Sequence, residues 1–112
     1  MKVLFVTTEC EPFAKTGGLA DVCAALPRAL RTLGADARIL LPLYPGIATE
    51  GLVPVIENLP VTVANKSVLC RVLACRDPSG TTVYFLDQPH YFGRPGLYGE
   101  NGREDADNSE RF

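Results

Sequence analysis

Lys2-Val3-Leu4-Phe5-Val6-Thr7 is a short, nearly continuous apolar run, which predicts a strand buried on both faces, and Asp36-Ala37-Arg38-Ile39-Leu40-Leu41 reads as the second strand. Between them, Thr8 to Gly18 reads as a loop with Pro12, Gly17 and Gly18 as its breakers. Leu19 to Leu33 then places Leu19, Val22, Cys23, Leu26, Leu30 and Leu33 at spacings of three and four, the single apolar stripe of a helix. Gly34 is a natural stop, and Pro27 is expected to kink the helix by removing one hydrogen bond. Strand, helix and strand in succession favour a parallel pair joined by a right-handed crossover. The fold class is therefore α/β, with a Rossmann-like, mostly parallel sheet.

Working outward, Pro42 and Pro45-Gly46 end the second strand. Val53 to Val63 is a weaker strand pattern, interrupted by Pro54 and Pro60. Ser67 to Cys75 and Thr81 to Leu86 are better strands, and the turn residues Asp77-Pro78-Ser79-Gly80 between them predict a hairpin. Asp87 to Arg103 is rich in glycine and proline and reads as an ordered loop. From Glu104 the chain turns polar. Asp107-Asn108-Ser109-Glu110-Arg111-Phe112 reads as the opening turns of a helix, its acidic residues suiting the positive end, and as a truncated element without a C-cap.

The 112 residues are 46% hydrophobic and 21% charged, ordinary usage for one domain or part of one. The net charge is −2 and no basic stripe occurs, which argues against nucleic acid as a partner. The apolar run after Lys2 is too short for a signal peptide and is followed by Glu9 and Glu11, and no stretch approaches the length of a membrane span. A cytoplasmic protein is the expectation. Cys10, Cys23, Cys70 and Cys75 form no C-x-x-C pair and are expected to be free, mostly buried thiols.

Chemistry is expected in the loop Thr8-Glu9-Cys10-Glu11-Pro12-Phe13-Ala14-Lys15-Thr16-Gly17-Gly18, which joins the end of the first strand to the first helix. In open α/β sheets ligands bind at that edge. The first N–H groups of a helix lack internal partners, two adjacent glycines let a phosphate approach them, and Lys15 adds a positive charge. The spacing is neither the dinucleotide G-x-G-x-x-G nor a P-loop. On these features alone, a diphosphate cradle and a tight glycine turn beside a solvated lysine both remain open.

Lys15-Thr16-Gly17-Gly18-Leu19-Ala20-Asp21-Val22 resembles the K-T-G-G-L-A-D-V signature of bacterial glycogen synthases and plant starch synthases. Ala25-Leu26-Pro27-Arg28-Ala29-Leu30 followed by Gly34 is similar to that family's A-L-P-x-A-L helix, which accounts for Pro27. Arg38 to Tyr44 resembles its R-V-x-x-P-x-Y strand. Tyr84 to Pro89, the Arg94-to-Gly99 loop, and Asp107-Asn108 with Arg111-Phe112 match further stretches in register. The resemblance implies a retaining glycosyltransferase of the two-domain GT-B type, with residues 1–112 as the N-terminal part of its catalytic domain. It implies transfer of glucose from ADP-glucose to the non-reducing 4-hydroxyl end of an α-1,4-glucan such as glycogen, without a cofactor or metal. Lys15 and Thr16, with the bare backbone of Gly17 and Gly18, would lie against the donor's phosphates, and Asp21 near the sugar nucleotide. No catalytic residue is expected within these 112 residues. A UDP-glucose-dependent relative and a non-catalytic nucleotide-sugar or glucan-binding module remain alternatives.

Glu9 and Tyr98 are candidates for contact with the glucan or the cleft. Tyr91 and Phe92 are expected to anchor their loop in the core, Arg94 to form a surface ion pair, and Asp87 to order the following loop. His90, without a nearby ligand set, is not expected to bind a metal, and Glu104-Asp105 is expected to be a solvated helix start.

Overall fold

The computed structural model describes residues 1–100 and 102–112. Five strands form the main sheet: β1 (Lys2–Val6), β2 (Asp36–Pro42), β3 (Val53–Val63), β4 (Lys66–Arg76) and β5 (Thr82–Asp87). Their order is β1-β2-β5-β4-β3. β1 pairs with β2, and β2 with β5, in parallel; β4 runs antiparallel to both β5 and β3. Four strands thus point one way and β4 alone is reversed. Helix α1 (Gly18–Thr32) makes the β1–β2 crossover, close to the expected span. It ends where expected, with Gly34 at φ 91°, a left-handed conformation that favours glycine.

The core lies under the two central strands. Ile39 and Leu41 on β2, and Val83 and Phe85 on β5, are essentially inaccessible to solvent, and the Phe13 ring packs edge-on against Phe85 at 5.0 Å. Each such side chain contributes about 1.5–3 kcal/mol through burial. The predicted hairpin of β4 and β5 forms in register from Arg71–Asp87 to Arg76–Thr82. Its turn is held by the Asp77 carboxylate, whose Oδ1 accepts from the Ser79 and Thr81 backbone N–H groups and the Ser79 hydroxyl. The weak pattern at Val53–Val63 becomes a full strand because it lies at the sheet edge, where Pro54 and Pro60 are tolerated; the register shifts between Pro54 and Leu59. A second hairpin joins β3 to β4 through Ala64 and Asn65, both at positive φ.

Two expectations need correction. β1 is not covered on both faces: among the described residues it pairs only with β2, and Leu4 and Val6 are 52% and 73% exposed. Nor does the leucine stripe of α1 face the sheet. The helix packs through Ala20, Cys23 and Pro27, while Leu19, Val22, Leu26 and Leu33 remain exposed. The small side chains allow close approach to β2, and the apolar arc is wider than that contact.

After β5 the expected loop contains the short helix α2 (Pro89–Phe92), capped by the Gln88 side chain accepting from the Tyr91 N–H, and a small hairpin of β6 (Gly99–Glu100) and β7 (Arg103–Glu104). Glu104 therefore belongs to a strand. The final helix, α3 (Asn108–Arg111), with Asp107 at its N-cap, opens where the Asp107–Phe112 pattern puts it, while Glu104, read as a helix start, is taken by pairing with Gly99. Gly96 and Gly99 are sterically required: a Cβ at Gly99 would lie 1.8 Å from the Arg103 carbonyl oxygen, and one at Gly96 1.9 Å from that of Gly99. No helix among the described residues is long and apolar enough to cross a membrane.

Candidate functional site

At the C-terminal end of β1, the chain turns into the loop that enters α1. Thr7 is buried and its hydroxyl donates to the Glu9 carbonyl at 2.8 Å. Glu9 is only 3% exposed. Its Oε1 accepts from the backbone N–H groups of Thr16 (3.0 Å) and Gly17 (3.1 Å), and its Oε2 accepts from the hydroxyls of Thr16 (2.7 Å) and Tyr98 (2.5 Å). The Tyr98 oxygen also lies 2.6 Å from the Thr8 hydroxyl, and the Tyr44 hydroxyl donates to the Thr8 carbonyl. Burial raises the Glu9 carboxyl pKa, but the hydrogen bonds from Tyr98, Thr16 and Gly17 outweigh it and lower the value to about 2. Tyr98 shifts upward, through its own burial first and then its bond to the Glu9 anion.

The glycines stand open. Gly17 is the N-cap of α1 with extended backbone (φ −166°), and a Cβ placed on Gly17 or Gly18 meets nothing within 4 Å. The N–H groups of Gly18, Leu19 and Ala20 precede any in-helix acceptor, so the exposed mouth of α1 presents donors and the positive end of the helix dipole. Lys15 reaches across this mouth to Asp21, with Nζ 2.8 and 3.0 Å from the two carboxylate oxygens. Both side chains are about half exposed, and the bond to Asp21 raises the Lys15 pKa. Lys15, Thr16, Gly17, Gly18 and Asp21 are thus brought to one surface, while Glu9 lies beneath it.

Two grooves flank this surface. One, of 370 Å3, opens at the ends of the parallel strands and is lined by Val6, Thr8, Leu19, Pro42, Leu86 and Phe112 among others. The second, of 330 Å3, lies between Thr16 and the Gly96–Glu104 segment, with Leu97 and Tyr98 on its wall.

A family of proteins described as the starch synthase catalytic domain matches residues 2–112. The chain belongs to this family. A glycogen synthase of Geobacillus thermodenitrificans is 47% identical over 114 aligned residues, covering 100% of this chain and 22% of its own length. A glycogen synthase of Photobacterium profundum is 42% identical, again over 100% of this chain and 22% of its length. The chain therefore spans about a fifth of the curated relatives it matches. Among solved structures, the catalytic domain of starch synthase IV from Arabidopsis thaliana, bound to ADP and acarbose, superposes with a TM-score of 0.80 at 27% identity, over 98% of this chain and 22% of that one. The mostly parallel α/β sheet is thus that of the starch synthase catalytic domain.

Within this family frame the remaining candidates take ordinary roles. Tyr91 and Phe92 are buried, as expected of loop anchors. Arg94 pairs with Asp107 at 2.7 Å and Asp105 at 3.5 Å, and Asp87 accepts from Arg71 at 2.8 Å. His90 is exposed near the start of α2, and the described residues hold no cluster of three metal-ligating side chains. Asp105 is no solvated helix start; it accepts from the buried Arg111 guanidinium. All four cysteines are free. Burial raises the thiol pKa of Cys10, Cys70 and Cys75, to about 12 for Cys10, which disfavours the thiolate at each. The residue that sequence reading missed is Tyr44, which holds the Thr8 carbonyl while the Thr8 hydroxyl meets Tyr98; its one local trace is the R-V-x-x-P-x-Y resemblance that ends at Tyr44.

The lowered Glu9 pKa has a measurable consequence. Its folded value of about 2 lies below the ordinary 4.5, so the unfolded chain binds the proton more readily. The stabilisation is complete above pH 4.5 and fades as pH falls towards 2. The urea midpoint of the full-length protein should drop across that window more steeply than that of a Glu9→Gln variant, and parallel curves would show that the carboxylate is not held as described.

Proposed function

We propose that the full-length protein containing these residues transfers glucose, with retention, from ADP-glucose to the non-reducing 4-hydroxyl end of an α-1,4-glucan, and that residues 1–112 supply the donor-phosphate side of its cleft. The single observation that carries this is the Lys15–Gly18 surface: an exposed cation beside unobstructed helix N–H groups, at the edge where parallel α/β sheets bind ligands. A departing diphosphate gathers negative charge, and fixed donors and a cation stabilise it most as the bond breaks. Lys15 is held in readiness by Asp21, and an arriving phosphate takes the place of that carboxylate. Asp21, once released, lies beside the sugar nucleotide.

The relatives' name, glycogen synthase, and the ADP in the Arabidopsis structure support the choice of reaction and of base. We assign the rest of the two-domain catalytic unit, including its catalytic groups, to sequence outside these residues, and Tyr98 to the cleft wall beside Thr16. The protein is placed in the cytoplasm, a reading supported by four unpaired cysteines.

The test is incorporation of labelled glucose into glycogen by the full-length protein, with ADP-glucose and UDP-glucose in competition. Preference for UDP-glucose, or no transfer from either, would overturn the proposal. A polypeptide of residues 1–112 alone is expected to transfer no glucose.

The open glycines allow a sharper check. Gly17→Ala and Gly18→Ala meet no steric obstacle and require no unusual backbone, so stability should change by less than about 1 kcal/mol. Donor KM should nonetheless rise about tenfold, because the methyl group stands where phosphate must approach. Unchanged donor KM in both variants would place the phosphates elsewhere.

A further inference from the structure

A charged carboxylate almost wholly removed from solvent, in a loop, needs a reason. Glu9 has four donors arranged around it, two backbone N–H groups and two hydroxyls, and among the described residues no buried polar side chain is left without a partner. Three of these donors belong to Thr16 and Gly17; the fourth, Tyr98, is 89 residues away in sequence. An N-cap side chain ordinarily accepts from the first free N–H groups of its helix. Gly17, the N-cap here, has no side chain to do so and makes no cap bond.

We propose that Glu9 is a positioning residue that does from below what the glycine N-cap cannot do itself: it fixes the Lys15–Gly17 backbone and ties it to Tyr98, leaving the N–H groups of Gly18 and Leu19 to face an incoming phosphate. The proposal deepens the donor-side reading above and rests on it. The cap position can then stay bare for the ligand without the loop losing its shape. The same bonds take up the Glu9 charge, so the anion beneath the loop is turned away from the phosphates. Its lowered pKa keeps it ionised at any working pH.

The experiment measures kcat and the donor and acceptor KM values of the full-length protein with Glu9→Gln, Glu9→Ala, Tyr98→Phe and the double variant Glu9→Ala/Tyr98→Phe. Glu9→Gln keeps an oxygen for the two backbone donors, and its donor KM should rise no more than about threefold, with a pH–rate profile that superimposes on the original. Glu9→Ala should raise donor KM about tenfold or more and leave acceptor KM unchanged. The double variant should be no worse than Glu9→Ala, since the Tyr98 hydroxyl, left with Thr8 alone, has already lost its link to the Lys15–Gly17 backbone.

A shift in acceptor KM with donor KM unchanged would overturn the proposal, because Glu9 would then act on the glucan. Additive losses, or a Glu9→Gln variant as damaged as Glu9→Ala with an altered pH profile, would overturn it too. If Glu9→Ala does not fold, the cycle built from Glu9→Gln and Tyr98→Phe decides the same point. Absence of transfer by the unaltered protein would instead refute the proposed function, and the affinity of the same variants for ADP, measured by calorimetry, would then decide the positioning role alone.

Discussion

Lys15→Ala in the full-length protein is expected to lower kcat/KM for ADP-glucose by about 10²–10³-fold, the usual loss when one preorganised group facing a developing negative charge is removed. Most of the loss should fall on kcat, since the leaving diphosphate carries more charge in the transition state than in the bound donor. Folding should be indifferent. The Lys15–Asp21 pair is half exposed and both partners regain water when it is broken, so the unfolding midpoint should stay where it was. Lys15→Arg should recover part of the rate, as the charge returns on a differently shaped head. A Lys15→Ala protein within threefold of the original in kcat/KM, a margin of about 0.65 kcal/mol, would remove Lys15 from the reaction.

Arg111→Ala is expected to be the most destabilising single change in the second half of the chain. The guanidinium is fully buried. Nε donates to the Tyr91 carbonyl at 2.6 Å, Nη2 to that of Leu97 at 3.0 Å, and Nη1 to Asp105 and Asn108 at 2.8 and 2.7 Å. The group also lies over the Phe112 ring, 4.9 Å from its centre. One side chain therefore joins α2, the Gly96–Gly99 loop and α3. Its removal leaves the Asp105 carboxylate with only its longer contact to Arg94, and leaves two backbone carbonyls and the Asn108 amide oxygen short of a donor, at a cost of about 3–5 kcal/mol in all. That is a large part of the roughly 5–15 kcal/mol that holds a typical domain folded. Arg111→Lys should fall between, because an ammonium cannot reproduce the planar fork. Urea unfolding of the full-length variants gives the comparison; a midpoint for Arg111→Ala no lower than that for the exposed Arg28→Ala would refute this account.

Much of the fold was legible because its signals are local. The apolar run at 2–7, the strand pattern at 36–41, Gly34 after a helical period, and the Asp77-Pro78-Ser79-Gly80 turn each specify their own geometry within a few residues. What could not be read depends on neighbours distant in sequence. Nothing near Leu4 and Val6 shows that β1 has one partner strand among the described residues, since that follows from the strand order. The periodicity of α1 identifies an apolar arc but not that Ala20, Cys23 and Pro27 turn inward in place of the leucines. The β3–β4 turn at Ala64-Asn65 was missed because its left-handed pair lacks the usual glycine.

The site divides the same way. Lys15, Thr16, Gly17 and Gly18 are contiguous, so a motif displays them. Glu9 stands out in the sequence only as a candidate for cleft contact; its burial beneath the loop shows only once Tyr98 is folded back over it.

The position of β5 bears on how this sheet is assembled. It is the last of the five strands in the chain, yet it lies at the centre, and only through it are β2 and β4 hydrogen-bonded into one sheet. Before residues 82–87 are in place, the β1-α1-β2 unit and the β3–β4 hairpin are separate pieces, each lacking the row of partners that buries its inner edge. Strand five is a keystone: it folds back on β4 through the short turn at Asp77-Pro78-Ser79-Gly80, so the long-range step that locks the two wings together is its pairing with β2.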